Sequence, residues 1–312
     1  MSKIAFIFSG QGSQYVGMCK ELYSYSDIIR NTFKEATEVL GFSVEDLCFN
    51  SSEEELNKTE NTQVAMVTMS TSISRLLKSM EIEPTITAGL SLGEYSALVD
   101  SGALDFKSAI GLVRKRGMYM TEAVEHGKGA MAAVLGLERD VIEKCLKESQ
   151  HKGIVEISNL NSPKQIVISG EKHAVEYSSQ LLYENGAKKV IPLKVSGPFH
   201  SSMMKSASEK LYKDLINIEF RSFHIPVVSN YSAEYFRKDN IVENLKMQVM
   251  SSVLWEDSIN LMIDKGIDTF IEIGPKNTLS AFVKKINRDV ATYNVEDLAS
   301  LERLSKGLSL EK

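Results

Sequence analysis

Thr85–Ala88 has the character of a short strand and Glu94–Val99 that of a helix, and only Gly89-Leu90-Ser91-Leu92-Gly93 lies between them. This stretch restricts the fold more than any other. A chain passes from strand to helix in so few residues only where side chains are missing from the inside of the turn, and the two glycines provide that. The turn lifts Ser91 clear of the backbone at a helix N-terminus, where N–H groups face outward. Strand, Gly-x-Ser-x-Gly and helix together read as a nucleophile elbow, with Ser91 as candidate nucleophile. A tight turn closed by a capping serine would use the same residues, but the flanking strand and helix favour the elbow.

An elbow needs a sheet behind it, and the rest of the chain supplies one. Ile4–Phe8 is a continuous apolar run, ended by Gly10-Gln11-Gly12-Ser13-Gln14, and reads as a buried strand. Val64, Val67, Ile73, Leu76, Leu77 and Met80 recur at three- and four-residue spacing and predict an amphipathic helix between Asn61 and Met80. Another helix is expected from Phe106 to about Glu125. From Gly129 the rhythm changes to strand Ala130–Leu135, helix Arg139–Ser149, strand Ile154–Asn159, strand Gln165–Ser169, helix Lys172–Asn185 and strand Lys188–Val195. That β-α-β-β-α-β order is the ferredoxin-like unit. Ser162-Pro163-Lys164 supplies the turn between its paired strands, and Gly186 a helix C-terminus.

After Pro198 the larger α/β unit resumes. A helix is expected near Ser202–Ile216, then strand Ile225–Ser229, helices Asp239–Val249 and Trp255–Lys265, and strand Thr269–Ile273. The polar tail after Tyr293 is expected to be peripheral. The predicted division is a core of residues 1–126 and 198–312 with a small subdomain, 127–197, inserted in it.

Charge and cysteine usage narrow the function classes. The 41 acidic and 36 basic residues give a net charge of −5 without a clustered Lys/Arg stripe, so nucleic acid is not an expected partner. Cys19, Cys48 and Cys145 are isolated, which suggests neither a disulfide framework nor a zinc site and fits a reducing cytoplasm. The apolar run after Met-Ser-Lys is too short for a signal peptide, and no stretch reaches the ~18 apolar residues of a membrane span. The protein is expected to be neither exported nor embedded.

A serine hydroxyl needs a base within hydrogen-bond reach. His126, His151 and His173 sit among charged or turn residues and read as solvated, while His224 precedes a strand and reads as packed. His200 follows Val195-Ser196-Gly197-Pro198-Phe199 and precedes Ser201-Ser202, on a loop between a strand and a helix, where catalytic groups are commonly presented. From position alone a structural role for it is equally open.

Several motifs together resemble bacterial malonyl-CoA:acyl carrier protein transacylases. They are Gly10-Gln11-Gly12-Ser13-Gln14, Gly89-x-Ser91-x-Gly93-Glu94-Tyr95-Ser96-Ala97, Arg114-x-Arg116-Gly117-x-x-Met120, Gly129-Ala130-Met131-Ala132-Ala133-Val134, Asn161-Ser162-Pro163, Gly197-Pro198-Phe199-His200 with Met204, and Glu272-Ile273-Gly274-Pro275. They run in the family's order to about Arg288. The resemblance implies an α/β-hydrolase-like large subdomain carrying a ferredoxin-like small one. It implies Ser91 as acylated nucleophile, His200 as base, and Gln11 and Leu92 as backbone donors to the oxyanion. Arg116 would hold the malonyl carboxylate, with Phe199, Met120 and Gln248 as further substrate-binding positions. His200 would be oriented by backbone carbonyls near Gln248 rather than by an acid.

On this resemblance malonyl-CoA is the substrate, acyl carrier protein the partner, no metal or bound cofactor is needed, and the protein works as a monomer in fatty acid synthesis. A guanidinium fork holds a carboxylate through two charge-assisted bonds. Acetyl-CoA would leave that charge unpaired, a penalty of ~3–5 kcal/mol. Without the resemblance, Arg114, Lys115 and Arg116 would read as a solvated helix face, and for Phe199 ordinary core packing would be as good a reading as a specificity role. Phe199 beside His200 would crowd an α-substituent and favour malonyl over methylmalonyl.

Two positions depart from the family: Leu90 where many members have histidine, and Ser251-Ser252-Val253 where many have Asn-Pro-Val. Alternatives are a free-standing acyltransferase that loads polyketide carrier domains, a serine hydrolase acting on acyl groups, and a noncatalytic carrier-binding protein.

Overall fold

The structure, a computed structural model, describes residues 3–195 and 197–309. Met1, Ser2, Ser196 and residues 310–312 lie outside the described residues, so the approach to His200 is described from Gly197.

In chain order the elements are β1 (Ile4–Phe8), α1 (Lys20–Tyr25), α2 (Asp27–Leu40), α3 (Val44–Phe49), α4 (Glu53–Leu56), α5 (Thr59–Ser79), β2 (Ile86–Gly89), α6 (Gly93–Asp100) and α7 (Phe106–Glu122). There follow β3 (Gly129–Leu135), α8 (Arg139–Ser149), β4 (Val155–Ser162), β5 (Gln165–Glu171), α9 (Lys172–Glu184) and β6 (Lys189–Pro192). The chain closes with α10 (Lys205–Leu215), β7 (Val227–Val228), α11 (Ile241–Gln248), α12 (Trp255–Asp264), β8 (Thr269–Ile273), α13 (Thr278–Ile286), β9 (Ala291–Val295) and α14 (Leu298–Ser309).

Two sheets organise these elements, as the expected α/β class requires. One is parallel, in the order β7-β2-β1-β8-β9. The other is antiparallel, in the order β4-β5-β3-β6, which is the ferredoxin-like arrangement of its β-α-β-β-α-β segment. Successive side chains of β1 leave by opposite faces. Phe6 and Phe8 enter an apolar cluster with Ile29, Phe33, Val67 and Leu98, while Ala5 and Ile7 enter a second with Trp255, Ile259 and Phe270. The antiparallel sheet keeps a third cluster around Val134, Ile142, Ile168 and Leu182.

Several expectations need correction. The helix between Asn61 and Met80 is not amphipathic: α5 is buried along most of its length, and Met80 lies past its end and is exposed. Its polar positions are mostly Thr and Ser, small enough for neighbours to close in. Gly117 of α7 is where one does, since a Cβ there would stand 2.5 Å from Glu60 Cα. The strand expected at Lys188–Val195 shortens to β6, ending at Pro192, and Ile225–Ser229 contracts to the two residues of β7. The tail is not peripheral. β9 pairs in parallel with β8, and α14 brings Leu301 and Leu304 into the first cluster.

Candidate active site

Ser91 and the loop after β1 stand at the C-terminal ends of parallel strands, where open α/β sheets present ligand-binding groups. The turn at Ser91 is as tight as its glycines suggest. A Cβ on Gly89 would lie 2.0 Å from the Gly93 carbonyl, and one on Gly93 would lie 2.2 Å from Phe8 O. Ser91 itself has φ +52°, a left-handed conformation that non-glycine residues rarely take. Asn230, just beyond β7, holds it there: its Oδ1 accepts from Ser91 N–H at 2.6 Å and its Nδ2 donates to Gly89 O at 2.7 Å.

His200 meets the serine. Ser91 Oγ and His200 Nε2 are 2.6 Å apart, and His200 Nδ1 is 2.8 Å from Gln248 O. A carbonyl oxygen only accepts, so Nδ1 carries the proton and Nε2 is free to receive that of Ser91. Burial, and next the charge of Arg116, lower the His200 pKa to about 4, against smaller opposing effects of the Gln248 and Ser251 backbone. The imidazole is therefore a neutral base at neutral pH. Of the other histidines, His126, His151 and His173 are exposed as expected, but so is His224.

Arg116 is not on a solvated face. It is 1 % exposed, whereas its neighbour Lys115 is exposed and paired with Asp214. Its Nη1 donates to Gln63 Oε1 at 3.0 Å, and its Nη2 to Gln248 Oε1 at 3.0 Å and Ser91 Oγ at 3.3 Å. Its Nε–H is buried without an acceptor. Nη2 thus reaches Ser91 Oγ, and the guanidinium, which stands over the buried Tyr95 ring, keeps donor capacity to spare at Nε.

Gln248 lies at the centre of the network. Beyond the bonds above, its Nε2 donates to Ser91 O and to Glu94 Oε2, both at 2.7 Å. Glu94, on the first turn of α6, also accepts Asn230 N–H at 2.5 Å. Burial pushes its carboxyl up to about 8, against the pull of the Asn230 N–H, the Arg116 charge and Gln248.

Met120 is buried with its sulfur 3.6 Å from Gln63 Nε2, behind the partner of Arg116. Phe199 is buried in the first apolar cluster. Leu92 leads into α6, whose first N–H groups, those of Gly93, Glu94 and Tyr95, bond to the carbonyls of Leu90, Ser91 and Leu92. The loop carrying Gln11 presses on the elbow, because a Cβ on Gly10 would lie 2.5 Å from Leu90 O. Leu90 packs toward the second cluster, and Ser252 Oγ donates to Ile157 O at 2.5 Å, tying its loop to β4.

Three members of this site escape a reading of the sequence alone: Gln63, Glu94 and Asn230. Glu94 carries a signal, a lone acid in an otherwise apolar and small-residue helix start. Gln63 and Asn230 carry none, since only the fold brings residues 63, 91, 230 and 248 together.

The chain matches the acyl transferase domain family over residues 5–310. It is 48 % identical to the malonyl CoA-acyl carrier protein transacylase of Bacillus subtilis (strain 168), over 97 % of this chain and 96 % of the relative. The crystal structure of the malonyl CoA-acyl carrier protein transacylase of Clostridium perfringens ATCC 13124 superposes with a TM-score of 0.96 at 47 % identity, covering 99 % of this chain and 98 % of the other. A malonyl-transacylase solved in complex with its type II polyketide acyl carrier protein gives 0.94 at 40 % identity, covering 96 % and 98 %.

Proposed function

The chain belongs to the acyl transferase domain family, among the malonyl CoA-acyl carrier protein transacylases, and on that footing we propose the route by which its residues pass malonyl to the carrier protein. Ser91 Oγ attacks the thioester carbonyl of malonyl-CoA and gives its proton to His200 Nε2, 2.6 Å away. The Leu92 and Gln11 N–H groups bind the tetrahedral oxyanion, each such donor being worth ~3–4 kcal/mol of barrier. The C–S bond breaks, His200 returns the proton to the departing coenzyme A sulfur, and malonyl stays as an ester on Ser91. The phosphopantetheine thiol of the carrier then gives its proton to His200 and attacks the ester carbonyl; the bond from that carbon to Ser91 Oγ breaks, His200 returns the proton to Ser91 Oγ, and the carrier leaves as the malonyl thioester, which completes a ping-pong cycle.

The observation that carries the substrate assignment is Arg116: a buried guanidinium within 3.3 Å of the nucleophile, with one N–H unpartnered. A carboxylate two carbons beyond the ester carbonyl is the group that such a fork accepts. Phe199 beside His200 adds bulk against an α-substituent, and Met120 and Gln248 back the arginine. The same reading takes the working unit as a monomer. The free, buried Cys19, Cys48 and Cys145 fit a cytoplasmic location. The same reading keeps 1–126 with 198–312 as the acyltransferase core and 127–197 as the small subdomain, supported by a separate sheet and apolar cluster.

Intact-protein mass spectrometry after incubation with malonyl-CoA or acetyl-CoA tests the route. Wild type is expected to gain a malonyl adduct that Ser91→Ala does not form, and Arg116→Ala to lose a preference for malonyl on the order of a hundredfold. An adduct persisting in Ser91→Ala, or an unchanged preference in Arg116→Ala, would overturn it.

A further inference from the structure

Arg116 is buried, yet among the described residues no carboxylate bonds to it. The acid that acts on it stands one amide away: Glu94 Oε2 accepts from Gln248 Nε2, and Gln248 Oε1 accepts from Arg116 Nη2. An acid bonded directly to the guanidinium would compete with an incoming carboxylate. An acid acting through an intervening amide orients the guanidinium's acceptor and leaves the fork open.

We propose that Glu94 is a positioning residue for acyl-group selectivity, acting through the side-chain amide of Gln248 on Arg116; the proposal rests on the carboxylate-clamp reading of that arginine. The geometry is closed on all sides. Glu94 is 0 % exposed, and its two oxygens are divided between Asn230 N–H and Gln248 Nε2. Gln248 Nε2 lies between two acceptors, Glu94 Oε2 and Ser91 O, which turns Oε1 toward the guanidinium. Through Asn230 the same carboxyl reaches the clamp on Ser91 N–H and Gly89 O. Glu94 therefore joins the support of the elbow to the support of the arginine, touching neither the acyl group nor the reacting atoms.

Glu94→Gln is nearly isosteric but brings two N–H donors to a place surrounded by donors. Both oxygens of the Glu94 carboxyl keep a lone pair whether or not one carries the proton, but an amide nitrogen accepts nothing, so either Asn230 N–H or Gln248 Nε2 is left facing a donor. The malonyl:acetyl ratio of ester formation on Ser91, read by intact mass at matched times, is expected to fall about tenfold, the loss that one misaligned charge-assisted bond brings. Glu94→Asp, one methylene too short to reach both partners, is expected to lower the ratio as well and serves if Glu94→Gln does not fold. Gln248→Met removes the amide; combined with Glu94→Gln it should lower the ratio little further than the worse single variant, because both changes break one path.

Three results would each overturn the proposal. One is a wild-type ratio in a Glu94 variant that still forms the malonyl ester. Another is an equal loss for malonyl and acetyl, the mark of general destabilisation. The third is losses that multiply in the double variant. A wild-type protein without malonyl preference would instead overturn the clamp reading beneath it.

Discussion

In the role of base proposed above, His200 would meet two demands at once, since a base must be neutral to accept the serine proton and must be held in one orientation to receive it. Burial meets the first by lowering its pKa to about 4, and the Gln248 carbonyl meets the second without an acid that would raise the pKa again. The consequence has a definite sign. The neutral form is active, so kcat/KM for Ser91 acylation should hold steady through the usual histidine value of 6.5 and fall only as the pH drops toward about 4. His200 contributes to stability with the same sign, because below 6.5 the unfolded chain takes up a proton that the buried ring refuses; the Glu94 carboxyl, held up at about 8, contributes the opposite trend between 8 and 4.5, so the share of His200 is read as the difference between wild type and His200→Gln. Single-turnover acylation from pH 4 to 8, with melting followed in parallel, checks both, and an acid limb at 6.5 would contradict the buried-base description. At this scale the sequence went far. Ser91 stands out from its glycines, whereas the loop of His200 leaves a structural role equally open and only the resemblance singles that histidine out. Arg116 needed a resemblance, because its burial depends on α5 closing over it, with Gln63 as partner.

Elements place these residues by how closely their backbones approach. Gly93 stands at the point where α6 leaves the elbow and passes β1, with room for no side chain. A Gly93→Ala substitution puts a Cβ 2.2 Å from Phe8 O, a backbone atom inside the sheet, so the strand or the helix must shift. We expect a loss of about 3 kcal/mol or more, read by denaturant unfolding, together with slower acylation as Ser91 leaves its hydrogen bond to His200. A fully stable Gly93→Ala protein would contradict the close approach. The strand–turn–helix here was legible because its requirement is local. The boundaries of β6 and β7 were not, since they depend on which neighbouring strand has a partner to offer. The character of α5 was misread for a related reason: its apolar spacing is that of an amphipathic helix, but its Thr and Ser side chains are also buried, and only packing on several sides reveals that.

Across the whole molecule, the chain end that looked dispensable belongs to the core. Val295, Leu301 and Leu304 join the cluster that also holds Phe8, and β9 covers one edge of the parallel sheet. Leu304→Ala is expected to cost about 2–5 kcal/mol, measurable by denaturant unfolding, where a peripheral tail would show nothing. The apolar residues of this tail, Leu298, Leu301, Leu304 and Leu308 among them, are spaced three or four apart along one helix face between polar and charged neighbours, so the tail looks polar although that face is not. The two sheets are likewise tied together more closely than their separate apolar clusters suggest. Leu160 N–H donates to Val253 O, Val253 N–H to Ser158 O, and Ser202 N–H to Glu156 Oε2, so β4 supports the chain on both sides of the base: the segment after His200 and the loop after Gln248. The smaller lobe is thus not an exchangeable cassette. A chimera that took it from a relative would also import part of the scaffold that aims the imidazole, and the graft would succeed or fail on the fit of one strand edge rather than on the match of two cores.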